Sequence, residues 1–241
     1  MTRPPAYRAV RPLRVAVRTT AKQDRGPCEN EDSAAADINA GRFALSDGAS
    51  AAARAEVWSQ LLTEAFVSGG DPLKSSTLSA LRRSWRERVC APDLAWYARE
   101  KLAQGSAATF LGVRVETSGY TITAVGDSCL FHVSERELVL VAPLTDSREF
   151  TRFPDLVHTS PDTPVPLEHV WSGGGPLRDG DVLLLATDAV AKYLLRQHRE
   201  TGELPAILDH LADEEQFIEF ITRAREHGLE NDDSTVCAVW T

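Results

Sequence analysis

Two apolar runs in this chain each deliver a lone carboxylate. Arg42 to Ser46 leads into Asp47, and Asp181 to Ala186 leads through Thr187 into Asp188. The second run is almost wholly apolar, the pattern of a strand covered on both faces. A carboxylate at the end of a buried strand is costly unless it is paired or bound to a metal. No basic residue lies within two positions of Asp47 or Asp188. A cation is therefore the natural partner, and the fold must bring distant acidic segments to it.

Two further acidic positions sit at turns, Asp32 after Asn30-Glu31 and Asp232 in Glu230-Asn231-Asp232-Asp233-Ser234. Oxygen-only ligands select hard ions such as Mg²⁺ or Mn²⁺. Gly48 follows Asp47, and without a Cβ it lets backbone approach an ion and offer its carbonyl. Taken singly these motifs are common turns; their combination is far more specific.

The segments between them read as alternating strands and helices. Period-two alternation predicts strands at 13–18 and 235–240, and a hairpin of 32–38 with 42–46 through Asn39-Ala40-Gly41. Helices are expected over 51–67, 73–89 and 93–104. Antiparallel strands follow from Thr109: Leu111, Val113 and Val115 share one face, and Tyr120, Ile122 and Ala124 share another. Further strands are expected at 129–133 and 137–141. Residues 143–180 hold six prolines and read as one long irregular segment. Ser172-Gly173-Gly174-Gly175 lacks the Lys and Ser/Thr of a P-loop and reads as a flexible turn. Helices are expected over 189–197, 204–211 and 214–225, with Phe217, Ile218 and Ile221 on one stripe and Gly228 as a cap. Residues 1–12 read as an extended lead-in. With no internal repeat, 1–241 is read as a single domain.

Composition narrows the class. A net charge of −9 argues against a phosphate-backbone binder, so no nucleic acid partner is expected. No window approaches the roughly 18–20 apolar residues of a membrane span. The four cysteines form no C-x-x-C pair, which disfavours a zinc ribbon. A cytoplasmic protein with reduced thiols is the expectation.

Six motifs, in order, resemble those of the metal-dependent protein phosphatase 2C family, in a divergent bacterial branch. They are Asn30-Glu31-Asp32-Ser33, Ser46-Asp47-Gly48, Gly105-Ser106-Ala107-Ala108-Thr109, Val125-Gly126-Asp127-Ser128, Leu185-Ala186-Thr187-Asp188 and Asp232-Asp233-Ser234-Thr235-Val236. The resemblance implies an α+β fold, a four-layer α-β-β-α sandwich of two antiparallel sheets flanked by helices. It implies two Mn²⁺ or Mg²⁺ ions at one end of the sandwich. Asp47 would bridge them, Asp188 and Asp232 would complete one shell, and the Gly48 carbonyl would serve the other with Asp32 or Glu31. Asp127 matches a position that can hold a third ion with Asp188. Such ions lower the pKa of a shared water and offset charge on the phosphoryl oxygens. No covalent intermediate on the protein is needed.

Three departures accompany the resemblance. Ala49 stands where eukaryotic relatives carry a histidine proposed as general acid. Pro27 stands where many carry an arginine that grips the substrate phosphate, leaving Arg25 as the candidate for that role. Ala189 and Asp233 replace an expected Gly and Asn. His132 follows Asp127 at close range but reads as a structural strand residue. The expected activity is hydrolysis of phosphoserine or phosphothreonine in proteins, with substrates of a bacterial serine/threonine kinase as partners. A binding module that kept the fold and lost the chemistry is the alternative, and a di-metal hydrolase of another phosphate ester is a third reading. Oligomeric state is not legible.

Overall fold

The computed structural model describes residues 12–90 and 96–241; most of the expected lead-in and the start of the 93–104 helix lie outside them. One five-stranded sheet has the order β1 (Arg14–Thr20), β12 (Ser234–Trp240), β11 (Val182–Ala186), β7 (Cys129–Ser134), β8 (Glu137–Ala142). The other has the order β10 (Trp171–Pro176), β6 (Gly119–Val125), β5 (Phe110–Glu116), β3 (Arg42–Ser46), β2 (Ser33–Asp37). A short pair joins β4 (Ala107–Ala108) to β9 (Val157–His158). Neighbours pair antiparallel throughout.

Strand periodicity explains the four layers. In β11, Leu183 and Leu185 join a core between the sheets, while Val182, Leu184 and Ala186 face a second core. β12 divides the same way, Cys237 and Val239 inward, Val236 and Ala238 outward. The outer core is closed by α4 (Asp188–Thr201) and α5 (Glu214–Glu226), through Val190, Leu194, Phe217 and Ile221. On the opposite face, Ala44 and Phe110 meet α1 (Ala55–Val67) and α2 (Ser75–Val89) through Trp58, Leu62 and Trp85. Covered on both faces, the central strands carry the near-continuous apolar runs seen in the sequence. The expected α-β-β-α sandwich is the observed one.

Several expectations are corrected. Residues 171–176 are not a flexible turn but β10, paired with β6 from Trp171↔Ala124 to Pro176↔Gly119. Their glycines permit close approach: a Cβ on Gly174 would lie 2.1 Å from the Tyr120 carbonyl oxygen. The helix expected over 204–211 is only a 3₁₀ turn, Ile207–His210; Pro205 withholds a backbone donor at its start. The helix expected from residue 51 begins at Ala55, after Arg54 in a left-handed conformation, φ 52°. In α5, Phe217, Ile221 and Ala224 form the buried stripe and Ile218 is exposed. The third helix, α3, is described over Trp96–Ala103. Gly228 does end a helix, with φ +95° and the Leu229 N–H bonded to the Ala224 carbonyl.

Candidate metal centre

Antiparallel pairing brings the acidic motifs to one end of the sandwich. In one sheet, β11 ends at Ala186 opposite Val236, near the start of β12, and opposite Cys129, the start of β7. In the other, β3 ends at Ser46 opposite Ser33, the start of β2, while β6 ends at Val125 opposite Phe110. Asp47 and Asp127 therefore follow strand ends, and Asp32 and Asp232 precede strand starts, all on that edge. Asp188 is the first residue of α4, where the helix dipole favours a carboxylate.

Hydroxyls fix this edge. The Asp47 N–H donates to Thr109 Oγ1 at 2.9 Å, and the Thr109 N–H returns a bond to the Asp47 carbonyl at 2.8 Å. Ser46 Oγ donates to the Thr109 carbonyl at 2.6 Å. The Gly105–Thr109 motif thus acts as a clamp on Asp47. Gly48 has no room for a side chain: a Cβ would lie 2.6 Å from the Glu31 carbonyl oxygen. Thr187 Oγ1 donates to Asp32 Oδ2 at 3.1 Å and accepts the Thr235 N–H at 3.0 Å, joining two acidic segments. Asp233 is buried and spent on backbone, accepting the N–H groups of Lys22 at 2.9 Å and Glu31 at 2.8 Å.

The electrostatics are those of a site short of positive charge. Burial pushes the Asp47 carboxyl well above its ordinary value, and Asp32, Asp188, Asp127 and Asp232 all add to the shift. Asp32 is pushed up to about 8 by burial, with Asp233 and Asp188 adding, against hydroxyl bonds from Thr235 and Thr187. Asp127 is pushed up to about 7 by burial and by Asp188. Asp188 is pushed up to about 6 by burial and by Asp232, against hydrogen bonds from the Ala189 N–H and Asp47. Five sequence-predicted carboxylates therefore share one electrostatic neighbourhood. Asp32 Oδ1 is buried there with no hydrogen-bond partner among the described residues. An orphaned oxygen among mutually repelling carboxylates fits a hard divalent cation. The carboxylates act on Asp47 through charge, yet among the described residues no group of three His, Cys, Asp or Glu is placed to hold a metal ion.

Sequence reading missed Lys22. Its ammonium lies 3.3 Å from Glu31 Oε2, 3.4 Å from Asp232 Oδ1 and 3.2 Å from Ser50 Oγ. Burial lowers its pKa, but Asp232, Asp233 and Glu31 outweigh that and hold it above the ordinary value. Nothing in Ala21-Lys22-Gln23 marks this role, because it depends on where the loop after β1 is pinned. Arg25, the sequence candidate for gripping phosphate, pairs with Glu29 at 2.5 Å, one step outside the carboxylates. His132 is buried elsewhere, between Tyr120 Oη and Asp181 Oδ2 at 3.0 Å each. A larger cavity of 630 Å³, against Leu204, Ile207 and Tyr193, touches none of the five aspartates.

Residues 20–236 match the protein phosphatase 2C family, and the chain belongs to that family. No curated protein sequence matches it. Among solved structures, it is similar to the catalytic domain of the serine/threonine protein phosphatase PstP in complex with two manganese ions, at 22% identity and a TM-score of 0.58, covering 94% of this chain and 97% of that one. Stp1, a serine/threonine phosphatase from Staphylococcus aureus, is 16% identical with a TM-score of 0.63, covering 96% of each chain. The photosystem II phosphatase PBCP is 12% identical with a TM-score of 0.62, covering 95% and 99%. At these identities the likeness establishes the shared sandwich. No helix among the described residues is long and apolar enough to cross a membrane.

Proposed function

We propose that this chain is a Mn²⁺- or Mg²⁺-dependent phosphatase of phosphoserine and phosphothreonine in proteins. The observation that carries the reading is the set of carboxylates gathered from both sheets around Asp47, with a buried Asp32 oxygen left unpartnered. Bound ions would supply an acidified water and offset charge on the phosphoryl oxygens. Asp47, Asp188 and Asp232 are assigned the catalytic ion pair, with the Gly48 carbonyl, Asp32 and Glu31 completing it and Asp127 serving a third ion. Thr187 and Thr109 hold Asp32 and Asp47 in place. With Ala49 after Gly48, position 49 donates no proton to the leaving group, and water or another group must supply it. Lys22 lies against the cluster through Glu31 and Asp232, and Arg25, engaged by Glu29, keeps further donors for substrate phosphate.

We further assign residues 1–241 to one phosphatase domain, a cytoplasmic setting, and substrates of a bacterial serine/threonine kinase. One observation favours the inactive binding module: Lys22 already sits between Glu31 and Asp232. Hydrolysis of p-nitrophenyl phosphate and a phosphothreonine peptide under Mn²⁺ separates the two. Wild type should turn over both. Asp47→Asn and Asp188→Asn should lose more than the about 10–100-fold that removing an outer-shell partner costs. Equal inertness of all three proteins across a wide metal range would reject the phosphatase reading.

A further inference from the structure

Beside the carboxylate cluster lies a second feature, a polar cavity of 340 Å³. Its cations are Lys22, Arg25, Arg54 and Lys101, set against Glu29, Glu31 and Glu56. In a chain of net charge −9, a cavity whose lining carries a cationic surplus stands apart from its surroundings. Its cations come from separate elements: the loop after β1, the turn before α1, and α3.

We propose that this cavity seats the side chain of an Asp or Glu flanking the phosphorylated residue, making acidic phosphopeptides the favoured substrates. The inference rests on the phosphatase reading for the position of the phosphate. Lys22 belongs to both places: its ammonium touches Glu31 and Asp232 of the cluster and also lines the cavity. A phosphoresidue held at the cluster would pass its neighbours over Lys22, and consecutive Cα atoms are only about 3.8 Å apart. The next one or two side chains would then fall in the cavity. Lys101 pairs with no carboxylate among the described residues, so its charge is available to an incoming one. Arg25 and Arg54 are engaged, each at 2.5 Å, by Glu29 and Glu56. These are exposed pairs of little net worth, and each guanidinium has five donors, so it can take a second carboxylate without losing the first.

The test measures binding apart from turnover. Fluorescent peptides carrying the phosphonate isostere of phosphoserine, which cannot be hydrolysed, are titrated with the full chain in Mn²⁺ by anisotropy. One peptide has Glu on both sides of the phosphonate; the other has Gln. The Glu peptide should bind about two- to fivefold more tightly at low salt, and the preference should shrink as salt screens it. Lys101→Glu, on an exposed helix face, should erase or reverse the preference, and Lys101→Arg should retain it. Equal affinity for the two peptides, a preference for Gln, or binding of neither would overturn the proposal. Hydrolysis of a phosphoserine peptide, read separately, distinguishes the two failures. Turnover with no Glu preference sinks the pocket alone; a Glu preference without turnover leaves an acid-binding pocket but sinks the phosphatase reading and, with it, the claim that these peptides are substrates.

Discussion

At the scale of single residues, the site is held by hydroxyls as much as by carboxylates. Thr187 is the clearest case, since one oxygen serves Asp32 and the Thr235 N–H together. Thr187→Val should leave both buried partners short, at a cost of about 1–3 kcal/mol. It should also weaken Mn²⁺ binding about 10–100-fold, as loss of other second-layer supports does. Urea unfolding and calorimetric metal titration would show both effects. Asp47 and Asp188 could be picked out because each ends an apolar run and a buried lone carboxylate demands a reason; Asp32 and Asp232 stood out only as acidic turns, and Asp127 only through the family resemblance. Lys22 and the structural use of Asp233 were not legible. Their roles depend on contacts across some two hundred positions of chain, between the loop after β1 and the turn before β12.

At the scale of elements, two devices join the sheets and shape their edges. Tyr120, His132 and Asp181 form a buried chain of hydrogen bonds linking β6, β7 and the residue before β11. Burial pushes the Asp181 carboxyl up, but bonds from Ser134, the Arg178 N–H and His132 outweigh it and hold the group below its ordinary value. A carboxylate depressed on folding contributes stability above its unfolded pKa of about 3.9, and loses it as pH falls through the folded value. Thermal melts between pH 5 and pH 2 should therefore show a steeper acid decline for wild type than for Asp181→Asn. Gly174→Ala should drive a methyl into the Tyr120 backbone and lower stability by about 1–3 kcal/mol. Central strands were readable because both faces are covered and their apolar runs are unbroken. β10 was hidden because an edge strand built on Gly173-Gly174-Gly175 carries turn composition; what makes it a strand is the surface of β6. The 207–210 turn misled in the opposite direction, its apolar residues mimicking a helix although only Ile207 of the turn is buried.

At the scale of the whole molecule, the aspartates come from both sheets. Asp47 and Asp32 flank strands of one, Asp188 and Asp232 adjoin strands of the other, and Asp127 lies between β6 and β7. Cations held among them would fasten the two halves of the sandwich at one end. A ligand at 100 times its Kd stabilises by about 2.7 kcal/mol, so Mn²⁺ should raise the melting temperature of wild type by several degrees and that of Asp47→Asn much less. The most direct test is anomalous diffraction at the manganese edge from crystals grown in saturating Mn²⁺. Two peaks flanking the Asp47 carboxylate, with Asp188 and Asp232 on one of them, are predicted. No peak at Asp47, with the Lys22 ammonium still lodged between Glu31 and Asp232, would contradict the account.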